Sequence, residues 1–137
     1  MQKPENCIIT IFGASGDLTK RKLMPSLFDL YQKKLLPEKF AIIGLGRTPF
    51  TDEAFREKMY NDVKTFAKIE AEEQRVLKVF LENIHYLPMD INNADDYSKL
   101  KARLEELDSR VESGGNYIYY VATSPKFFEL VSRHLGE

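Results

Sequence analysis

The stretch CIITIFGASGDLTKRK, residues 7–22, decides the fold. Its first six residues, Cys7-Ile8-Ile9-Thr10-Ile11-Phe12, form a nearly continuous apolar run rich in β-branched side chains, and Gly13 closes it. A short run of that kind reads as a strand buried on both faces, the habit of parallel sheets. Gly13 to Lys22 is a polar loop that enters a helix. Gly13 permits a tight turn, Gly16 has no side chain to keep the backbone away from a pyrophosphate, and Ala14 and Ser15 are small. The free N–H groups at the helix start, aided by the helix dipole, suit an anion. The spacing is G-x-x-G-x-x-T rather than the dinucleotide fingerprint G-x-G-x-x-G, so a merely structural turn stays open until the context is added. No Gly-Lys-Ser/Thr closes the loop, which is therefore not a P-loop.

Outward from this stretch, strands and helices alternate. Leu23, Leu27, Leu30 and Tyr31 recur at helical spacing, with Pro25 in the first turn, where its missing N–H costs nothing. Phe40–Gly44 predicts a second buried strand. Thr51 or Asp52 can cap the next helix, whose stripe is Phe55, Met59, Val63 and Phe66. A further helical stretch carries Val76, Leu77, Phe80 and Leu81. Ile84–Met89 is a third, weaker strand with Pro88 at its end. Tyr97, Leu100, Leu104 and Leu107 mark an amphipathic helix. A turn at Ser113–Asn116 leads to a fourth strand, Tyr117–Val121, and then to a last helix, Pro125–Leu135, with Phe127, Phe128, Val131 and Leu135 inside. The fold class is α/β: a Rossmann-like doubly wound parallel sheet in spatial order 3-2-1-4, its ligand crevice at the carboxyl end of the first strand. A full version of this fold adds a strand beside the fourth, so residues 1–137 read as one truncated domain whose fourth strand would present a hydrophobic edge.

Composition narrows the function classes. The 137 residues suffice for one hydrophobic core, and 43 % hydrophobic with 30 % charged residues is ordinary for a globular protein. A formal net charge of −1 gives no electrostatic case for a nucleic-acid or membrane partner. Cys7 is the single cysteine; it cannot form an internal disulfide and reads as a small buried side chain. The apolar run at residues 7–12 is too short for a signal peptide or a membrane span, so a cytoplasmic protein is expected.

The end of the second strand carries the next clue. NAD-binding versions of the fold place a carboxylate there to hold the ribose hydroxyls. Here Gly44-Leu45-Gly46-Arg47-Thr48 has none. With the glycine loop beside it, the Arg47 fork reads as the grip on a 2′-phosphate, which favours NADP; without that loop it would read as a surface arginine. Lys20, Arg21 and Lys22 are either a solvated helix face or the seat of a second anion beside the cofactor. Asp90, after the third strand, either contacts the adenine region or caps the next helix. His85 reads as packed inside a strand, and His134 as a cation near a helix C-terminus. There is no acid–base carboxylate pair, no metal-ligand cluster and no nucleophile–base pair, so the chain reads as one that binds.

These residues resemble a known family. The run GASGDLTKRKLMPSLFDLY, residues 13–31, is similar to the opening of glucose-6-phosphate dehydrogenases, whose G-x-x-G-D-L-x-x-R-K continuation generic dinucleotide folds lack. FAIIGLGR (40–47), LPMDIN (87–92) and YIYYVATSPKFF (117–128) resemble later segments of the same family. The resemblance implies that Gly13, Ala14, Ser15, Gly16, Asp17, Leu18, Thr19 and Lys20 cradle the NADP phosphates. It places Arg47 on the 2′-phosphate, Asp90 and Ile91 along the adenosine half, and Ala122 and Thr123 on the nicotinamide side. Lys22 would face glucose 6-phosphate. Thr19 stands where the family often has alanine. The reaction implied is oxidation of D-glucose 6-phosphate to the lactone with hydride transfer to NADP, opening the oxidative pentose phosphate route, in a homo-oligomer when full length. The family's E-K-P and R-I-D-H-Y-L-G-K-E segments and its substrate domain are not in these residues, so this stretch alone is expected to be inactive. Two alternatives stand beside this one. A stand-alone NADP-sensing module would bind without turnover. A short-chain dehydrogenase needs a Tyr-x-x-x-Lys pair, and no such pair here stands in a suitable position.

Overall fold

Four strands form one parallel sheet in the order β3-β2-β1-β4: β1 (Cys7–Phe12), β2 (Phe40–Gly46), β3 (Ile84–Pro88) and β4 (Tyr117–Val121). The computed structural model describes residues 5–14, 16, 19–90 and 92–121, with Lys20, Arg21 and Val121 described by their backbone alone. Order and pairing match the sequence reading; β2 runs on to Gly46, and Pro88 is the last residue of β3. Every residue of β1 is buried, which requires helices on both faces. On one face Cys7, Ile9, Ile11, Phe40 and Ile42 pack with the helices α1 (Met24–Gln32), α2 (Asp52–Ala67) and α3 (Ala71–Leu81). On the other, Ile8, Phe12, Ala41, Ile43 and Leu45 meet Tyr97, Leu100, Leu104 and Leu107 of α4 (Ala94–Val111). The chain winds outward from β1 to β3, then returns over the opposite face to β4. That reversal beside β1 is the topological switch point, where open α/β sheets bind ligands. β4 ends the described row and exposes Ile118, Tyr119 and Tyr120. The expected last helix, Pro125–Leu135, lies outside the described residues, as does His134.

Two helices turn inward a face slightly different from the one expected. A π-helical turn, Thr19–Leu23, leads into α1. Met24, Leu27 and Phe28 form the buried face of α1, while Leu30, about 60° around the helix from Leu27 on the side away from Phe28, is exposed. Pro25 does sit in the first turn of α1. On α3, Leu77, Phe80 and Leu81 are buried, but Val76, about 100° around the helix from Leu77, is exposed. On α2 the expected stripe holds at Phe55, Met59 and Val63, and the Thr51 hydroxyl caps the helix by accepting the Ala54 N–H at 3.1 Å.

Among the described residues, side chains rather than a further strand close the outer edge of β3. Asp52 Oδ1 accepts the Tyr86 N–H at 2.8 Å, and Arg56 Nε donates to the Ile84 carbonyl at 2.7 Å. Asp52 and Arg56 are one turn apart on α2, which suits two outward groups two residues apart on a strand. Arg103 of α4 reaches Asp52 Oδ2 at 3.0 Å, so helices from both faces meet at this edge. His85 is buried here, its Nδ1 3.5 Å from Asp52 Oδ2, and burial pushes its imidazole below the usual value. It is packed, as its position in the strand implied. Such a clamp occupies two backbone groups through which a second chain could pair with this edge. Asp52→Ala leaves the Tyr86 N–H and the Arg103 guanidinium without this acceptor and is expected to cost about 1–3 kcal/mol. Asp52→Asn keeps an acceptor for Tyr86 and should cost less. Urea-unfolding midpoints check this, and an alanine variant as stable as the parent would show that the clamp contributes nothing.

Candidate dinucleotide site

After Phe12 the chain turns at Gly13, whose φ of 83° glycine reaches without strain. The N–H groups of Gly13 and Ala14 both donate to the Leu45 carbonyl of β2 at 2.9 Å, and the Gly16 N–H closes on the Gly13 carbonyl at 3.0 Å. A Cβ on Gly16 would lie 3.2 Å from that carbonyl oxygen, tight enough to strain the turn. These contacts amend the sequence reading of the loop. The amides of Gly13, Ala14 and Gly16 hold the turn in shape; they are not free donors. Thr19 does more than keep the turn small: it is fully buried, and its hydroxyl donates to the Gly13 carbonyl at 3.3 Å. The first turns of the π-helical segment and of α1 carry no acidic residue. Ser15, Asp17, Leu18, Ile91, Ala122 and Thr123 lie outside the described residues, and of Lys20 only the backbone is described. Lys22 is exposed on the π-helical turn.

Sequence reasoning missed the part played by Gly44. A Cβ there would stand 2.7 Å from Ala14 Cβ and 2.8 Å from Phe55 Cζ. Its bareness lets the glycine turn and α2 close over the end of β2. The signal was available, since a glycine inside an otherwise buried strand often marks a close approach.

Arg47 follows β2 directly. Its side chain is 72 % exposed, and Nη2 lies 3.2 Å from Asp90 Oδ1. The loop that carries it is tied to β3: the Tyr86 hydroxyl donates to the Thr48 carbonyl at 2.7 Å, and the Met89 N–H to the Gly46 carbonyl at 2.8 Å. Burial pushes the Tyr86 phenol up to about 12, so it remains a donor at neutral pH. Asp90 Oδ1 also accepts the Asn92 backbone N–H at 2.9 Å; that bond, with Arg47 behind it, holds the carboxyl below its usual range. Asp90 does not cap α4. Asn93 does, its side chain accepting the Asp95 N–H at 3.0 Å, which removes one of the two sequence readings of Asp90. The strand register, Phe12 beside Leu45 and Gly46 beside Pro88, sets the glycine turn, Arg47 and Asp90 in one row along the carboxyl edge. Neighbouring members of that row are about one strand spacing apart, roughly 4.8 Å.

A cleft of about 520 Å³ lined by Tyr31, Leu36, Phe40 and Val76 lies where β2 begins, the end of the strand opposite the turn and not the end at which such sheets bind ligands. Two tyrosines have a lysine four residues on, Tyr60 and Tyr97, both on helices. The Tyr60 hydroxyl donates to Gln74 and Lys64 lies over its ring, while Tyr97 is buried in the core against α4's face of the sheet.

Residues 10–137 match the family model described as the NAD-binding domain of glucose-6-phosphate dehydrogenase. The chain belongs to the glucose-6-phosphate dehydrogenase family. It is 42 % identical over 135 residues to the glucose-6-phosphate 1-dehydrogenase of Aggregatibacter actinomycetemcomitans, which covers 98 % of this chain and 27 % of that protein. It is 35 % identical over 128 residues to the enzyme of the same name from Leuconostoc mesenteroides, covering 93 % of this chain and 26 % of that one. Among solved structures, a glucose-6-phosphate dehydrogenase in complex with its substrate glucose-6-phosphate superposes with a TM-score of 0.86 at 35 % identity, over 98 % of this chain and 28 % of that chain. The glucose-6-phosphate 1-dehydrogenase of Mycobacterium avium, at 20 % identity and a TM-score of 0.80, shares the fold. The chain thus spans about a quarter of the length of these relatives, and the fold assigned to it, the four-stranded parallel sheet in order 3-2-1-4, is that of their dinucleotide-binding domain.

Proposed function

We propose that this chain is the NADP-holding part of an enzyme that oxidises D-glucose 6-phosphate to 6-phosphogluconolactone, the first step of the oxidative pentose phosphate route. The observation that carries the choice of NADP is at the end of β2: an exposed guanidinium stands where NAD-binding folds place a carboxylate. The residues present fit a 2′-phosphorylated dinucleotide. Arginine has five N–H donors in a fixed fork; Asp90 engages Nη2, which leaves donors for a phosphate. The turn at Gly13–Gly16, rigid through its contacts to Leu45, would seat the pyrophosphate against the start of the adjoining helix. Asp90 would border the adenosine half, and Lys22 would meet the sugar phosphate as a point charge. Bound NADP supplies the hydride acceptor. The protein's part along this edge is to fix the cofactor's phosphates, while proton abstraction from the sugar hydroxyl belongs to groups of the substrate domain. In that reading the protein acts in the cytoplasm; among the described residues no helix is long and apolar enough to cross a membrane.

The test is Arg47→Ala. NADP affinity is expected to fall at least about tenfold, with NAD affinity changed less than about threefold, because the lost fork is one that only the 2′-phosphate uses. Calorimetric titration with the two dinucleotides reads this, and equal weakening of both would remove the assignment.

A further inference from the structure

The geometry points to Asp90 as the residue that sets how sharply this site separates dinucleotides with and without a 2′-phosphate. The inference rests on the 2′-phosphate reading of Arg47 and goes one residue beyond it. Arg47 sits on a long, exposed stem, and among the described residues Asp90 is the carboxylate that holds it. The carboxylate is itself fixed, because Oδ1 accepts the backbone N–H of Asn92 at 2.9 Å and the Asn92 side-chain amide at 3.3 Å. In the structure the guanidinium is therefore already turned toward Asp90.

The same contact has an electrostatic consequence. A phosphate taken by the remaining donors of the Arg47 fork would share one guanidinium with the Asp90 carboxylate, within the Debye length of about 8 Å at physiological salt. Two negative groups would then share one positive group, and the pull on the 2′-phosphate is reduced accordingly. A dinucleotide with a plain ribose meets no such repulsion. Its vicinal hydroxyls can instead donate to Asp90 Oδ2, which no described residue engages through a hydrogen bond. Asp90 then performs, from the end of β3, the service that NAD-binding folds obtain from a carboxylate at the end of β2. One carboxylate thus opposes the phosphorylated ligand and favours the plain one.

Asp90→Asn removes the charge and keeps acceptors for Asn92 and Arg47. In the full-length protein, titrations with NADP, NAD, adenosine 2′,5′-bisphosphate and 5′-AMP should show opposite shifts. The 2′-phosphorylated pair should tighten about threefold and the plain pair weaken about threefold, so the ratio of their dissociation constants rises about tenfold. The gain for the phosphorylated ligands should shrink as salt is raised, since its origin is charge. A ratio that stays level or falls in a folded Asp90→Asn protein overturns the inference; should that variant fail to fold, Asp90→Ser carries the same expectation. Arg47→Ala, run beside it, separates the two readings. A selective loss of the phosphorylated ligands with a flat Asp90→Asn ratio overturns this inference alone, whereas an unselective loss overturns the 2′-phosphate reading and this one with it.

Discussion

Gly44→Val is expected to destabilise the fold by more than about 3 kcal/mol, the upper end of what overpacking usually costs. The position permits no easy relaxation. A Cβ there would already meet Ala14 Cβ at 2.7 Å and Phe55 Cζ at 2.8 Å, and valine adds two methyl groups beyond it. Ala14 cannot move alone, because its N–H and that of Gly13 are bonded to the Leu45 carbonyl. Phe55 cannot swing aside, because it is fully buried with its ring centroid 4.7 Å from Tyr86 and 6.0 Å from Phe50. Glycine inside a strand is itself unfavourable by roughly 0.5–1 kcal/mol relative to alanine, so its presence here marks a contact that outweighs that cost. The expected result is a lower denaturation midpoint together with weakened binding of NADP and NAD alike, since the displaced element is the turn that both would use. A valine variant within about 1 kcal/mol of the parent would show that the turn and α2 can part without consequence.

How much of this was legible beforehand depends on the range of the interaction concerned. β1 and β2 could be read from composition because strands covered on both faces carry apolar residues at nearly every position. α4 could be read because Tyr97, Leu100, Leu104 and Leu107 keep helical spacing without interruption, and all four are buried. Leu30 was misassigned because it stands about 60° around α1 from Leu27 on the side away from Met24 and Phe28, and a spacing count that begins at Leu27 does not show on which side the core lies. Arg47 could be singled out from the missing carboxylate at the end of β2. Its partnership with Asp90, 43 residues on, was not, since only the parallel register of β2 and β3 brings the two ends together. The clamp of Asp52, Arg56 and Arg103 on β3 was hidden for the same reason: its members come from helices on opposite faces of the sheet. Local physics predicts elements well; contacts between elements emerge only once the sheet order and register are fixed.

Phe80→Ala carries the other large effect, a loss of about 3–5 kcal/mol. Phe80 is fully buried, and its ring centroid stands 5.1 Å from Tyr31, 5.6 Å from Phe28 and 6.1 Å from Phe40. It therefore joins α3 to both α1 and the first residue of β2. α3 has 11 residues, too few to be stable as an isolated helix, so its structure depends on what Leu77, Phe80 and Leu81 bury. Its capping box at Glu70 and Glu73 sets where the helix starts but cannot replace that packing. Removing the ring leaves a cavity bordered by aromatic rings, which are too large and too well fixed by one another to collapse into it. Domains of this size are stable by about 5–15 kcal/mol in all, so the variant gives up a fifth or more of that margin. The expected readout is a drop in melting temperature of roughly 10 °C or more, with Phe80→Leu losing clearly less. Because the cluster lies toward the amino end of β2, the carboxyl-edge row should be spared, and the folded fraction should bind dinucleotides as the parent does. A melting temperature within about 3 °C of the parent would mean that α3 is held by something other than this cluster.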